Sequence, residues 1–300
     1  MQKIVILLLV LFSNKLILSL KIPWVKSKNS IWNWNKNEIN YVEYTNNNKQ
    51  AILLIHGFGS SLYHWRYNIP ELSKYYDVYA FDLIGFGKSS KQDNNYNIEL
   101  WTEQTNDFIN NIIQKDTILI GNSLGGCITL NTSNNKYVNG IILLNSYINF
   151  DEEKKYPPKV LISIIKFLTP LYFNFMKNEK QIYTTLTQLY PENPEIIDND
   201  LVNSIIEPTN NINSLKVLDS IIIGFMQNPG ISDTILSNYN KPLFVIWGKK
   251  DKWLDKNSLN KLIKIYPNTL IKFISAGHCP QDEKSTIVND LIKTFIDSEI

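Results

Sequence analysis

Cysteine is nearly absent: two in 300 residues, Cys127 and Cys279. Two thiols cannot build a disulfide framework, and nothing else in the chain shows metal-ligand spacing. Neither a metal nor a cofactor is expected, and both thiols read as small buried hydrophobes. Histidine is scarcer than general acid–base chemistry would like, with only His56, His64 and His278. Acids are missing altogether before Glu38. The net charge of +2 comes from basic residues spread among acids, which leaves no nucleic-acid footprint. No internal repeat is present. With 12 glycines in the whole chain, a local cluster of them is informative.

One such cluster organises the sequence. Asp116 to Leu130 reads as a short apolar strand over Thr117–Ile120, a turn of small residues, and a helix. At its centre Gly121-Asn122-Ser123-Leu124-Gly125 matches G-x-S-x-G, the nucleophile elbow. A serine on a sharp strand-to-helix turn is strained, and side chains two residues away on either side would collide beneath it, which is why both are glycine. The amides at the start of the following helix point toward the serine and suit a developing oxyanion.

The surrounding pattern alternates strands with helices. Ile31–Trp34 and Ile39–Tyr44 alternate apolar and polar residues like a hairpin. Ala51–Ile55 is a continuous apolar run, expected of a strand buried on both faces, and it ends in His56-Gly57-Phe58-Gly59. Leu62–Tyr75 reads as mostly helical, Asp77–Phe81 as a strand, and Ile98–Ile113 as a helix. Further strands are expected at Gly140–Leu144, Pro242–Trp247 and Leu270–Ile274, with a closing amphipathic helix over Thr286–Ile296. This order predicts an α/β fold with a mostly parallel central sheet and helices on both faces. Ligands bind beyond the carboxyl ends of such strands, where the polar motifs fall.

Ser123 needs a base, and in this arrangement the chain order is serine, acid, histidine. Only His278 follows Ser123. His56 is read as ordering its loop by hydrogen bonding, and His64 as structural. The acid should leave the preceding strand, which offers Asp251, with Asp255 as the fallback. A solvated turn acid among lysines is the bland reading of Asp251. Position 145 is Asn and cannot serve as the acid, and Asp282 and Glu283 are assigned to the first turn of the closing helix. The oxyanion hole is assigned to the backbone amides of Leu124 and Phe58.

Four segments carry a family resemblance: His56-Gly-Phe-Gly-Ser-Ser with His64-Trp-Arg, Gly121-Asn-Ser-Leu-Gly-Gly, Trp247-Gly-Lys-Lys-Asp-Lys-Trp253, and Gly277-His-Cys-Pro-Gln-Asp-Glu283. From Trp32 to Ile296 the chain resembles an α/β-hydrolase, and these segments resemble the cyanobacterial and plastid group that includes pheophytinase. That group usually has His where this chain has Gln281. Haloalkane dehalogenases and epoxide hydrolases are also similar, but they use an aspartate nucleophile where this chain has Ser123. The resemblance implies hydrolysis of a carboxylic ester through an acyl-enzyme, with Ser123 attacking, His278 moving the proton and Asp251 orienting His278. Pheophytinase-like members act on a phytyl ester. A slow-turnover ligand receptor, an acyltransferase and a C–C bond hydrolase are the alternatives on the same fold.

The resemblance also makes residues 148–239 a helical lid between two core segments, 31–147 and 240–300. Within the lid, Lys159–Met176 is apolar around most of its surface. Such a helix packs in a core, lines an apolar pocket, or touches a membrane, and core packing is the commonest case. A hydrophobic ester is therefore the expected substrate. Residues 1–30 form a targeting segment: Lys3 precedes an apolar core at Ile4–Phe12, and Lys15 breaks a second run at Leu16–Leu20. This fits a secretory-type signal, with a basic, acid-free continuation that suggests onward delivery to a plastid-type organelle. A single-pass anchor is the alternative, and membrane contact through the N-terminus or the lid follows from either.

Overall fold

Apolar runs of five residues make the centre of the molecule. Ala51–Ile55 (β3) and Asp77–Phe81 (β4) are buried along their whole length, the mark of strands covered on both faces. In the computed structural model, which describes residues 29–148, 158–227, 235–236 and 238–300, they lie side by side in parallel. Thr117–Asn122 (β5) joins the other edge of β3, and Val138–Leu144 (β6), Leu243–Gly248 (β7) and Leu270–Ile274 (β8) continue the parallel ladder. Asn29–Trp34 (β1) and Asn37–Tyr44 (β2) form the expected hairpin, added antiparallel to the free edge of β4. The sheet order is β1-β2-β4-β3-β5-β6-β7-β8. The first 28 residues, most of the expected targeting segment, lie outside the described residues, as do 149–157 and 228–234 of the expected lid.

Side chains alternate across this sheet and so build two cores. Leu53, Ile55 and Leu119 face one side, where they meet Trp101 and Phe108 of α2 (Ile98–Phe108) and Ile128 of α3 (Leu124–Thr132). Ile52, Leu54, Ile118 and Ile120 face the other, against Val288, Ile292 and Phe295 of the closing helix. The helix expected over Leu62–Tyr75 is broken into a 3-10 turn, Leu62–Trp65, and a single helical turn, α1 (Ile69–Leu72). Pro70 explains the break. It lacks an N–H and its ring would clash with the carbonyl a turn earlier, so it fits only the first turn of a new helix.

Between β6 and β7 the described residues form α4 (Lys159–Met176), α5 (Glu179–Leu189), α6 (Asn199–Thr209) and α7 (Ser214–Gln227). Ile182 and Leu186 of α5 and Leu201 and Val202 of α6 share a small core with Tyr190 and Cys279. Core packing does not account for α4: Phe167 is 75% exposed and Val160 72%. After β7 come α8 (Asn257–Ile265), the short α9 (Pro280–Glu283) and α10 (Ser285–Glu299). Asp282 and Glu283 thus belong to α9 and are buried, not to the first turn of the closing helix. Both cysteines are buried and free, and burial pushes the Cys127 thiol up to about 12.

The β5–α3 turn closes only on glycine. A Cβ at Gly125 would stand 2.1 Å from the carbonyl oxygen of Ile55, and one at Gly121 would stand 2.3 Å from that of Gly125. These neighbours are backbone and cannot step aside. Gly125→Ala should therefore lower stability by about 3 kcal/mol, the upper end of what overpacking costs. Urea denaturation of the variant beside the parent chain measures it, and an unchanged midpoint would contradict this packing.

Candidate active site

Ser123 occupies the turn with φ 53° and ψ −116°, a conformation that costs a non-glycine residue energy and persists only where its surroundings hold it. Here the hold is visible. The Ser123 amide donates to Leu144 O at 3.1 Å, and its carbonyl accepts from Tyr147 N at 2.9 Å and Gly126 N at 3.0 Å. The loop after β3 passes close by, since a Cβ at Gly57 would come within 3.1 Å of Ser123 Cβ. His56 shapes that loop. It accepts the Leu83 amide at Nε2 (3.0 Å), which leaves the proton on Nδ1 to donate to Gly57 O at 2.8 Å. Burial depresses its pKa against the pull of Asp82, so the ring stays neutral. Asp82 itself takes the amides of Leu62 and Lys88 and the Asn40 side chain, tying three segments to the end of β4. The amides of Phe58 and Leu124 make no hydrogen bond to described residues and stay available to a ligand.

Asp251 and His278 are brought together from the ends of β7 and β8. His278 Nδ1 lies 2.9 Å from Asp251 Oδ2. Asp251 is no solvated turn acid, because its carboxylate is fully enclosed. Burial opposes its charge, yet hydrogen bonds from His278, from Asn145 and from the Trp253 amide hold its pKa below the ordinary carboxylate value. Ser123 joins this pair through its neighbour in the chain: Asn122 Nδ2 donates to His278 O at 3.0 Å and to Leu144 O at 2.9 Å. No hydrogen bond reaches the Ser123 hydroxyl itself among the described residues. Such contacts are often long without substrate and tighten only when it binds. Asp255, the fallback acid, bonds instead to Asn257 at the start of α8.

Asn145 is the residue that sequence reasoning passed over. Excluded as an acid, it acts as the clamp on one. Its Nδ2 donates to Asp251 Oδ2 at 2.7 Å and its Oδ1 accepts the Gly248 amide at 2.8 Å. It sits at φ 39°, in the left-handed region that asparagine tolerates better than most residues. The one available signal was an asparagine directly after an apolar strand.

A second buried polar group lies behind His278. Asp282 Oδ1 is 3.0 Å from Arg66 Nε, an ion pair whose angle departs from that of a hydrogen bond, and Asp282 Oδ2 accepts Tyr190 OH at 2.9 Å. Burial raises the Asp282 pKa to about 6 although Arg66 and Tyr190 pull it down. Glu283 accepts the amides of Gly277, Glu192 and Asn193, and the His278 amide donates to Leu189 O. The histidine loop is thus bound to the end of α5. His64 lies beside this group, buried, with no partner for either ring nitrogen among the described residues, and burial followed by the nearby Arg66 lowers its pKa to about 3. It sits in a 3-10 turn, Leu62–Trp65, where a helix was expected.

Asn145→Ala removes a hydrogen bond to a charged group and should cost about 2 kcal/mol at pH 7. The depressed Asp251 pKa stabilises the fold above the ordinary carboxylate value, and that contribution is lost as pH falls through the depressed one. Without Asn145 the loss should begin at higher pH, and the gap between variant and parent should close once both carboxyls are protonated. Urea midpoints between pH 3 and 7 test this; a constant gap would show that the amide acts only through packing.

Comparison with known proteins agrees with this geometry. Residues 50–188 match the family model described as alpha/beta hydrolase fold. The chain is 24% identical to the uncharacterized hydrolase YugF of Bacillus subtilis over 262 residues, covering 85% of this chain and 93% of that protein. It is also 24% identical to chloroplastic pheophytinase of Arabidopsis thaliana over 295 residues, covering 82% of this chain but 61% of that one. Among solved structures, the serine hydrolase CarC of carbazole degradation superposes with a TM-score of 0.73 at 22% identity, over 90% of this chain and 98% of its own. The parallel sheet with its antiparallel edge hairpin, the strained serine where β5 meets α3, and these likenesses have one reading: the chain has the α/β-hydrolase fold, with pheophytinase among the proteins it resembles.

Proposed function

We propose that the chain is a serine hydrolase that cleaves a hydrophobic carboxylic ester through an acyl-enzyme. The observation that carries the proposal is the Asp251–His278 hydrogen bond, held beside the strained Ser123 by the Asn122 bridge. In this reading His278 Nε2 takes the Ser123 proton as the hydroxyl attacks the ester carbonyl. The negative charge that develops on the carbonyl oxygen is met by the Phe58 and Leu124 amides, which need no reorganisation to receive it. Collapse of the tetrahedral intermediate breaks the bond to the alcohol oxygen, and His278 returns its proton to that leaving group. Water, deprotonated by His278, then attacks the acyl-enzyme and frees the acid and Ser123. Asp251 stays ionised throughout, fixing the imidazole tautomer and stabilising the imidazolium.

Aromatic rings around the site support the hydrophobic part of the reading. Phe58 meets Phe86 edge-on at 5.8 Å, and Phe225 of α7 lies 6.4 Å from Phe58, 6.2 Å from Trp101 and 6.3 Å from Tyr147. Tyr147 is hydrogen-bonded through its amide to Ser123 O, so this cluster borders the nucleophile directly. Phe58 keeps 49% of its surface open, where an acyl chain or an alcohol tail could cover it.

A fluorophosphonate probe should label the parent chain, and peptide mapping should find the label on Ser123. Turnover of p-nitrophenyl esters should rise with acyl length and fall in Ser123→Ala by about 10⁴-fold or more, the scale of triad knockouts. A sub-stoichiometric burst without turnover would favour a ligand receptor, and an ordinary rate in Ser123→Ala would remove the nucleophile from the proposal.

A further inference from the structure

The helix α4 has two apolar faces, and among the described residues only one has a partner. The inner stripe, Ile162, Ile165, Thr169 and Phe173, is buried or half-buried, and α4 packs against α7. The opposite stripe, Val160, Ile164, Phe167, Leu171 and Phe175, follows the same helical spacing and is 48 to 75% exposed. Scattered apolar side chains on a surface need no explanation, but five aligned along a helix about 27 Å long form one continuous patch. Leu168 and Tyr172 widen it on one flank.

The charges on this helix are of one sign. Lys159, Lys166 and Lys177 recur at spacings of seven and eleven residues, which stacks them along the other flank of the exposed stripe. No Asp or Glu occurs between Glu153 and Glu179. A second copy of this chain would set these lysines against their equivalents, an arrangement that like charges disfavour. No single helix among the described residues is long and apolar enough to cross a membrane, and α4 carries Pro170 inside it. With α5 it would reach a spanning length, but the two helices meet at 90°. An apolar face edged by lysines, on a helix too short to span alone, is the pattern of a helix that lies in the plane of a lipid interface, its cations reaching the headgroups.

We infer that the exposed face of α4 docks on an anionic lipid surface. Beneath it, α7 carries Phe225 over the aromatic cluster beside Ser123, so docking sets the roof of the site against the bilayer. A long-chain ester could then pass from lipid to site with little exposure to water. That consequence rests on the proposed esterase activity; the docking does not.

The test uses the full chain and vesicles of phosphatidylcholine and phosphatidylglycerol mixed two to one. Phe167→Glu with Leu171→Glu should lower vesicle partitioning about tenfold or more while hydrolysis of a short soluble ester is unchanged. Lys159→Gln and Lys166→Gln should each weaken binding about fivefold on these vesicles and have no effect on pure phosphatidylcholine. Phe167→Cys carrying an NBD label should brighten and shift to the blue on the anionic vesicles; both native thiols are buried and stay unlabelled. The same response in a Ser123→Ala background would show docking whether or not the serine is catalytic. Unchanged partitioning in the double glutamate variant together with a silent label would overturn the inference. So would a label response that appears without vesicles and follows self-association of the chain.

Discussion

One enclosed carboxylate governs the upper edge of the sheet. Asp251 has left water, and its charge is tolerable only because the surrounding groups supply donors to both oxygens. Those donors come from the end of β6 through Asn145, from the histidine loop after β8, and from its own turn through Trp253 and Leu254. Three segments far apart in the chain are thereby fixed to one point. Asn122 extends the constraint to the elbow by holding the His278 carbonyl. The position of the imidazole is thus a result of satisfying a buried charge, and the chemistry proposed for it inherits that rigidity.

The central strands were legible because burial on both faces demands unbroken apolar runs, and Ala51–Ile55 is found where the pattern put it. The elbow was legible for a related reason: the contacts at Gly121 and Gly125 admit no side chain, so backbone geometry is written directly into residue type. Asp251 and His278 could be picked out from chain order and strand ends, helped by the scarcity of histidine. Asn145 could not. An amide after a strand carries no signature until the carboxylate 106 residues away is set beside it. Asp282 failed for a comparable reason. Acids in a first helical turn usually face water, and only the packing of α9 against the Leu62–Trp65 turn brings Arg66 within reach.

The helix α4 shows a different limit. Its apolar residues were plain in the sequence, but composition cannot distinguish a helix surrounded by protein from one with an open side. That distinction depends on how many neighbours the fold provides, and among the described residues α7 covers one stripe while the other is left bare.

The tether between α5 and the histidine loop has a mechanical consequence. Leu189 O holds the His278 amide, and Glu283 grips the amides of Glu192, Asn193 and Gly277 together. Swinging α5 outward would therefore drag the imidazole off Asp251. A motion that spares this alignment has to lie on the opposite arm, where Phe225 rests on Phe58 and Tyr147 through ring contacts and Ser220 bonds to the Tyr96 amide and Asn94 O, none of them groups that hold His278. In the proposed reaction, alcohol and acid would leave on that side without the alignment being rebuilt at each cycle.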